Sequence, residues 1–140
     1  MLEDLVNLID VRRVISPVSV ADNTAQVGQI IDHQGAESVT YVINVGSVAD
    51  ADATYTVLLE EGDAANLSDA AAVADADLIG TEALASFQFD SDNKMFKLGY
   101  KGAKRYSRMT ITPAANSSAA LCSVSCVLEM FNTPTANPPA

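Results

Sequence analysis

Apolar and polar residues alternate along this chain with a period of two, the spacing of a half-buried β-strand, and little of it keeps the 3.6-residue period of a helix. Over residues 39–45 one side carries Val39, Tyr41, Ile43 and Val45, and the other Thr40, Val42 and Asn44. Over residues 54–60, Tyr55, Val57 and Leu59 oppose Thr54, Thr56 and Glu60, with Leu58 on the polar side. Residues 86–89 direct Phe87 and Phe89 inward. Met109 and Ile111 alternate with Thr110 and Thr112 until Pro113 stops the strand. Residues 121–130 show the cleanest pattern, with Cys122, Val124, Cys126, Leu128 and Met130 opposite Ser123, Ser125 and Glu129. Residues 11–20, which contain Pro17, suit an edge strand, and residues 26–31 form a further short candidate.

Turn-forming runs separate these segments: Ala21-Asp-Asn, His33-Gln-Gly, Glu61-Gly-Asp, Asp90-Ser-Asp-Asn and Tyr100-Lys-Gly-Ala-Lys. Short strands at this spacing predict an all-β fold, an antiparallel β-sandwich or jelly roll with extended termini and at most one or two short helices. Residues 68–76 fit either a short helix capped by Ser68 or an irregular loop. The pentad Val-Ala-Asp-Ala-Asp recurs at 48–52 and 73–77 and reads as two surface loops. The expected division is an N-terminal arm (1–10), a sandwich domain (11–131) and a Pro-rich tail (132–140) that is loose or lies along a neighbour.

Charge sharpens this picture. The 140-residue chain carries a net charge of −10. Residues 14–93 hold fourteen acids and no Lys or Arg, while six of the eight basic residues crowd into residues 94–108. An acidic body of this kind repels nucleic acid and anionic membranes and keeps a free subunit soluble. The N-terminus has acids where a secretory signal needs basic residues, so synthesis in the cytoplasm is expected. Cys122 and Cys126 would stand ~13 Å apart on a strand, beyond the ~7 Å that a disulfide tolerates, and are expected to be reduced and buried.

Candidate chemistry is sparse. His33, beside Asp32, is the single histidine. A nucleophile–base pair would need a Ser or Cys near it, which spacing cannot show, and a turn histidine without a chemical role is the expectation. Zinc needs several His or Cys ligands that the chain does not offer. Asp50/Asp52, Asp75/Asp77 and Asp90/Asp92/Asn93 are hard oxygen ligands in loops, but none sits in a twelve-residue calcium loop, and they read as solvated turn acids. No glycine-rich turn runs into a helix to hold a phosphate. No enzyme activity, cofactor or metal is expected. The basic segment reads as a hairpin of residues 95–100 and 105–112, since Gly99 and Gly102 would each cost a helix ~1 kcal/mol. Its bases then gather at the turn and on one strand face. Arg12, Arg13, Lys94, Lys97, Lys101, Lys104 and Arg105 are thus the candidate contacts for an acidic partner.

Three runs carry a family likeness: Ala53-Thr-Tyr-Thr-Val-Leu-Leu-Glu-Glu-Gly-Asp, Asn66-Leu-Ser-Asp-Ala-Ala-Ala-Val-Ala-Asp-Ala-Asp-Leu-Ile-Gly-Thr, and Lys104-Arg-Tyr-Ser-Arg-Met-Thr-Ile-Thr-Pro. They resemble the capsid cement or decoration proteins of tailed double-stranded-DNA bacteriophages, over residues 11–113. The resemblance implies a sandwich or jelly roll without catalytic residues, a place on the virion surface, the major capsid protein as partner, and small symmetric oligomers. A two-fold dimer, formed by pairing of the 11–20 edge with its copy, is the expected oligomer. Two alternatives stay open: a phage tail-tube or connector protein, and a carbohydrate-binding sandwich module, against which the absence of Trp counts.

Overall fold

Strands with one apolar side need a second such side to lie against, and from residue 38 onward the chain supplies it by sending successive long strands to opposite layers. The computed structural model describes residue 2, residues 4–130 and residues 135–138. Its strands are β1 (Ile9–Val20), β2 (Gln26–Val27), β3 (Ile31–Asp32), β4 (Ser38–Val48), β5 (Thr54–Gly62), β6 (Ala71–Ala72), β7 (Leu78–Ile79), β8 (Phe87–Gln88), β9 (Met95–Tyr100), β10 (Tyr106–Ala114) and β11 (Ala120–Glu129). A 3-10 turn (Asp75–Asp77) and a four-residue helix, α1 (Glu82–Ala85), complete the described elements. The first sheet has the order β1-β11-β4-β9-β7, and the second runs β2-β10-β5-β6, with β3 on β10 and β8 on β5. All of these pairings are antiparallel. The expected all-β antiparallel sandwich is therefore the fold.

Among the long strands, β4 lies in the first sheet, β5 in the second, β9 in the first, β10 in the second and β11 in the first. The predicted hairpin of residues 95–100 and 105–112 consequently does not form. β9 pairs with β4 and β7, while β10 pairs with β5, β2 and β3. Residues 101–105 instead arch from one sheet to the other. An apolar stripe on each segment serves a hairpin and a cross-core pair equally well, and here Leu98 of β9 and Met109 of β10 both lie fully buried inside the sandwich. The arch is tied down by Tyr100, whose hydroxyl donates to Glu61 Oε2 and accepts from the Lys104 amide.

Between the layers lie Tyr41, Ile43, Leu98, Val124 and Cys126 from the first sheet and Tyr55, Val57, Leu59, Met109 and Ile111 from the second. Burying each such side chain stabilises the fold by roughly 1.5–3 kcal/mol. An aromatic column crosses the core: Tyr55 stacks on Phe87 at 4.7 Å between centroids, and Phe87 lies 6.0 Å from Phe96 of the opposite sheet. Phe89 was expected inward but is 39% exposed. β8 ends at Gln88, and the Phe89 amide turns to donate to the Ala53 carbonyl. Residues 68–76 take the irregular alternative. The Ser68 amide donates to Asn66 Oδ1, and the segment continues as β6 and the 3-10 turn.

The borders of the second sheet are closed. Along the outer side of β5, β8 pairs with Thr54 and Tyr55, and β6 with Glu60 and Glu61. Between them Ser86 Oγ accepts from the Val57 amide and Glu82 Oε1 from the Leu59 amide. α1 thus serves as a row of edge caps. On the β10 side, β2 and β3 pair with the strand, and the Gly28 amide donates to the Met109 carbonyl between them. β1, which begins two residues before the expected domain start, borders the first sheet as an edge strand, as predicted. The Gln29 amide reaches its Val14 carbonyl. The chain ends meet beside it, where the Met130 amide donates to the Leu8 carbonyl and the Thr135 amide to the Asn7 carbonyl. The rest of the expected tail falls in part on residues 131–134 and 139–140, outside the described residues.

Candidate functional site

Strand register decides which side chains share a surface, because residues opposite one another on neighbouring strands point to the same side. Reading across β1, β11, β4 and β9, the outer face of the first sheet consists of successive rows. Val11, Val127, Thr40 and Gly99 form one; Arg13, Ser125, Val42 and Lys97 the next; then Ser123, Asn44 and Met95. Ile79 of β7 extends the first row opposite Gly99, and Ser19 and Leu121 lie beyond the last. Gly99 leaves room for the neighbour, since a Cβ there would come within 2.8 Å of Ile79 Cβ. Arg13 and Lys97 are the only charged side chains in these rows of a molecule whose net charge is −10. Glu129, one row further, is hydrogen-bonded by Ser38 Oγ.

Large apolar side chains are exposed on the same face: Met95 (64%), Ile79 (60%), Leu121 (46%) and Val11 (43%). An open groove of about 370 Å³ runs over Pro17, Ser19, Asn44, Leu121 and Ser123. The opposite face of the sandwich sets Thr54, Thr56, Thr110 and Thr112 around exposed Val27 and Leu58, beside the Arg108–Glu60 ion pair at 3.2 Å.

The seven predicted contact residues divide in two. Arg12 is paired with Asp10 at 2.6 Å. Lys104 Nζ meets Asp63 at 2.8 Å, and Arg105 holds Asp32 through Nε and an Nη at 3.0 and 2.9 Å while its guanidinium lies over the Tyr106 ring. These contacts hold the Asp32 and Asp63 carboxyls below the usual carboxylate range. Lys94, Lys97, Lys101 and Arg13 have no acidic partner among the described residues. Arg13 reaches only neutral groups, Ser16 Oγ and the side-chain amide of Gln29. The structure does not gather the bases at one hairpin turn. Arg13 and Lys97 share one row of the outer face of the first sheet, at its opposite ends, which sequence spacing could not indicate because they lie on strands far apart in the chain.

His33 does find a serine. Its Nδ1 donates to the Lys104 carbonyl at 3.3 Å, so Nε2 accepts from the Ser107 hydroxyl at 2.5 Å, and Ser107 Oγ accepts from the Tyr41 hydroxyl at 2.5 Å. Burial lowers the His33 pKa and raises that of Tyr41, which keeps the ring neutral and the phenol a donor. Ser107 is fully buried, and a nucleophile must be reached by its substrate. The chain of hydrogen bonds therefore acts as a latch joining β3 and β10 of one sheet to β4 of the other.

The loop acids act as caps on backbone amides. Asp50 Oδ2 accepts from the Ser117 amide at 2.8 Å and Asp69 from the amides of Asp63 and Ala64. Both carboxyls are held low mainly by these N–H groups, and Asp52, hydrogen-bonded to Asp50, is raised. Among the described residues no group of three or more His, Cys, Asp or Glu is placed to hold a metal ion. No described helix is long and apolar enough to cross a membrane.

No protein-family model and no curated protein sequence matches the chain. Among solved structures it is similar to the subunit described in "Bacillus endospore appendages form a novel family of disulfide-linked pili", at 12% identity and a TM-score of 0.47, covering 94% of this chain and 99% of that one. It is also similar to the CBM22-1 xylan-binding domain of a Paenibacillus barcinonensis protein, at 11% identity and a TM-score of 0.45, over 89% of this chain and 88% of that domain. A Clostridium thermocellum xylanase fragment with CBM22-1 and GH10 modules gives 10% identity and a TM-score of 0.46, and the match spans only 28% of that chain. At such identities these likenesses carry no function over to this chain.

Proposed function

We propose that this protein is a non-catalytic structural module that binds protein subunits, in the role of a cement protein on the outer surface of a phage capsid. One observation carries the reading. On an otherwise acidic molecule, three successive rows of one sheet face carry no acid, with Glu129 in the row beyond them already hydrogen-bonded by Ser38, and present exposed apolar and hydroxyl side chains. Such a surface suits a protein contact, in which apolar area supplies affinity and a few charges set orientation. Bridging neighbouring major capsid protein subunits would stabilise a shell by favouring its assembled state, and symmetry would multiply a weak contact over many copies. Self-association at the exposed parts of the β1 edge belongs to the same reading. Purified protein should cosediment with preassembled empty shells and raise the temperature at which they open. Shells that gain neither bound protein nor heat resistance would overturn the proposal.

A second reading, a carbohydrate-binding module, is favoured by the groove over Ser19, Asn44 and Ser123, which sets hydroxyl and amide groups beside apolar Pro17 and Leu121. Sugar rings ordinarily stack on exposed aromatics, and this groove has none. Retention of the protein on insoluble xylan but not on shells would decide for this reading.

A further inference from the structure

Arg13 and Lys97 stand at opposite ends of one row, with Ser125 and Val42 between them. Three inter-strand spacings of ~4.8 Å place their strands about 14 Å apart. Resting on the reading that this face binds a protein, we propose that its partner is a protein surface with two carboxylates about 14 Å apart, flanking an apolar or hydroxyl-bearing strip.

Three classes of occupant compete, and the charges separate them. A second copy placed face to face would bring Arg13 and Lys97 against the same two cations; these rows hold no carboxylate, and Glu129 in the row beyond already accepts from Ser38. A nucleic acid backbone carries a charge every ~1.7 Å of duplex, and two cations on a body of net charge −10 cannot answer that density. An acidic protein face fits, because at physiological salt screening acts within ~8 Å. The contact then feels the local pair of cations more than the distant acids. Arg13 suits a carboxylate particularly well, since its guanidinium is held at the sheet border by neutral partners only. Between the two charges, Val42 and Ser125 offer a small, neutral surface, and Val11, Met95, Ile79 and Leu121 supply exposed apolar area around it.

Two measurements test this. In the first, wild-type protein, R13E/K97E and the charge-matched K94E/K101E are compared for binding to empty shells of the major capsid protein, each variant first shown to unfold at the wild-type urea midpoint. R13E/K97E should bind on the order of tenfold more weakly at low salt, with a flatter salt dependence, while K94E/K101E stays within about twofold. A water-soluble carbodiimide, which joins an amine to a carboxylate at zero length, should link Lys97 to an Asp or Glu of the shell. In the second, a pentapeptide Glu-Val-Thr-Val-Glu, whose carboxylates in extended form stand about 14 Å apart, is titrated into labelled wild-type protein. Amide shifts should cluster at Thr40, Val42 and Ser125. Wild-type protein that ignores shells but gives these shifts would overturn the capsid role and uphold the partner chemistry. Undiminished shell binding by R13E/K97E, Lys97 cross-links to a second copy of this chain, or peptide shifts elsewhere would overturn the inference itself.

Discussion

Asn116 does more for the sandwich than its place in a loop suggests. It is 4% exposed, accepts the Tyr55 hydroxyl at 2.8 Å and donates to the Val20 and Asp22 carbonyls at 3.1 and 2.9 Å. Replacing it with Ala orphans three buried or half-buried groups, so Asn116→Ala should cost about 2–4 kcal/mol. The urea midpoint should fall with an unchanged slope. Tyr55→Phe in the Asn116→Ala background should cost less than in the wild type, because one orphan is removed. His33 gives a pH dependence whose sign follows from its burial. Its folded pKa lies below the unfolded value near 6.5, so in the interval between them the unfolded chain binds more protons. Stability is then full above pH ~6.5 and declines as pH falls toward the folded pKa. A second decline sets in below pH ~3.9, where the lowered carboxyls of Asp32, Asp63 and Asp69 lose the partners that hold them ionised. Urea midpoints at pH 7.5 and 5.0 should differ in the wild type, and His33→Gln should narrow that gap while lowering both values.

Glu82 and Ser86 turn a four-residue helix into a guard for β5, accepting the amides of Leu59 and Val57. Glu82→Ala should speed hydrogen exchange at the Leu59 amide by tenfold or more, since a hydrogen bond to a charged group contributes roughly 1.5–3 kcal/mol. Exchange at Met109 should change little by comparison. Gly99→Val should strip β7 from the sheet border, because its Cβ would meet Ile79 Cβ at 2.8 Å, and should be visible as faster exchange at Ile79. These elements also show what a single sequence can reveal. The alternation of β4, β5, β10 and β11 was legible because a two-residue period reports directly on which side faces the core. The partners were not legible, since an apolar stripe does not name the stripe it packs against, and the hairpin expected at residues 95–112 became an arch between sheets for that reason. The seven cationic candidates were visible as a list. Arg12 is neutralised by nearby Asp10, but the pairing of Lys104 and Arg105 with Asp63 and Asp32, and the placing of Arg13 and Lys97 on one face apart from Lys94 and Lys101, depend on contacts between distant segments.

Viewed as a body, the molecule is asymmetric. One sheet has closed borders and the other offers an exposed face, with the two chain ends together at its edge. Mixing the protein with shells at increasing salt should therefore weaken binding less than it would for a contact built from all eight bases, because half of those charges are paired internally. Sedimentation of the free protein tests the remaining expectation of a dimer, whose strand pairing at β1 should be lost on substituting Pro for Ile15 or Val18. Cys122 and Cys126 carry a different consequence. Both side chains point into the core from one strand, unpaired and 6% and 0% exposed, and burial pushes the Cys126 thiol up to about 12. Thiolates react and thiols do not, so native protein should leave iodoacetamide unconsumed while denatured protein takes up two labels. Passing from a reducing to an oxidising medium leaves such a molecule covalently unchanged, and copies packed side by side cannot become welded to one another through sulfur.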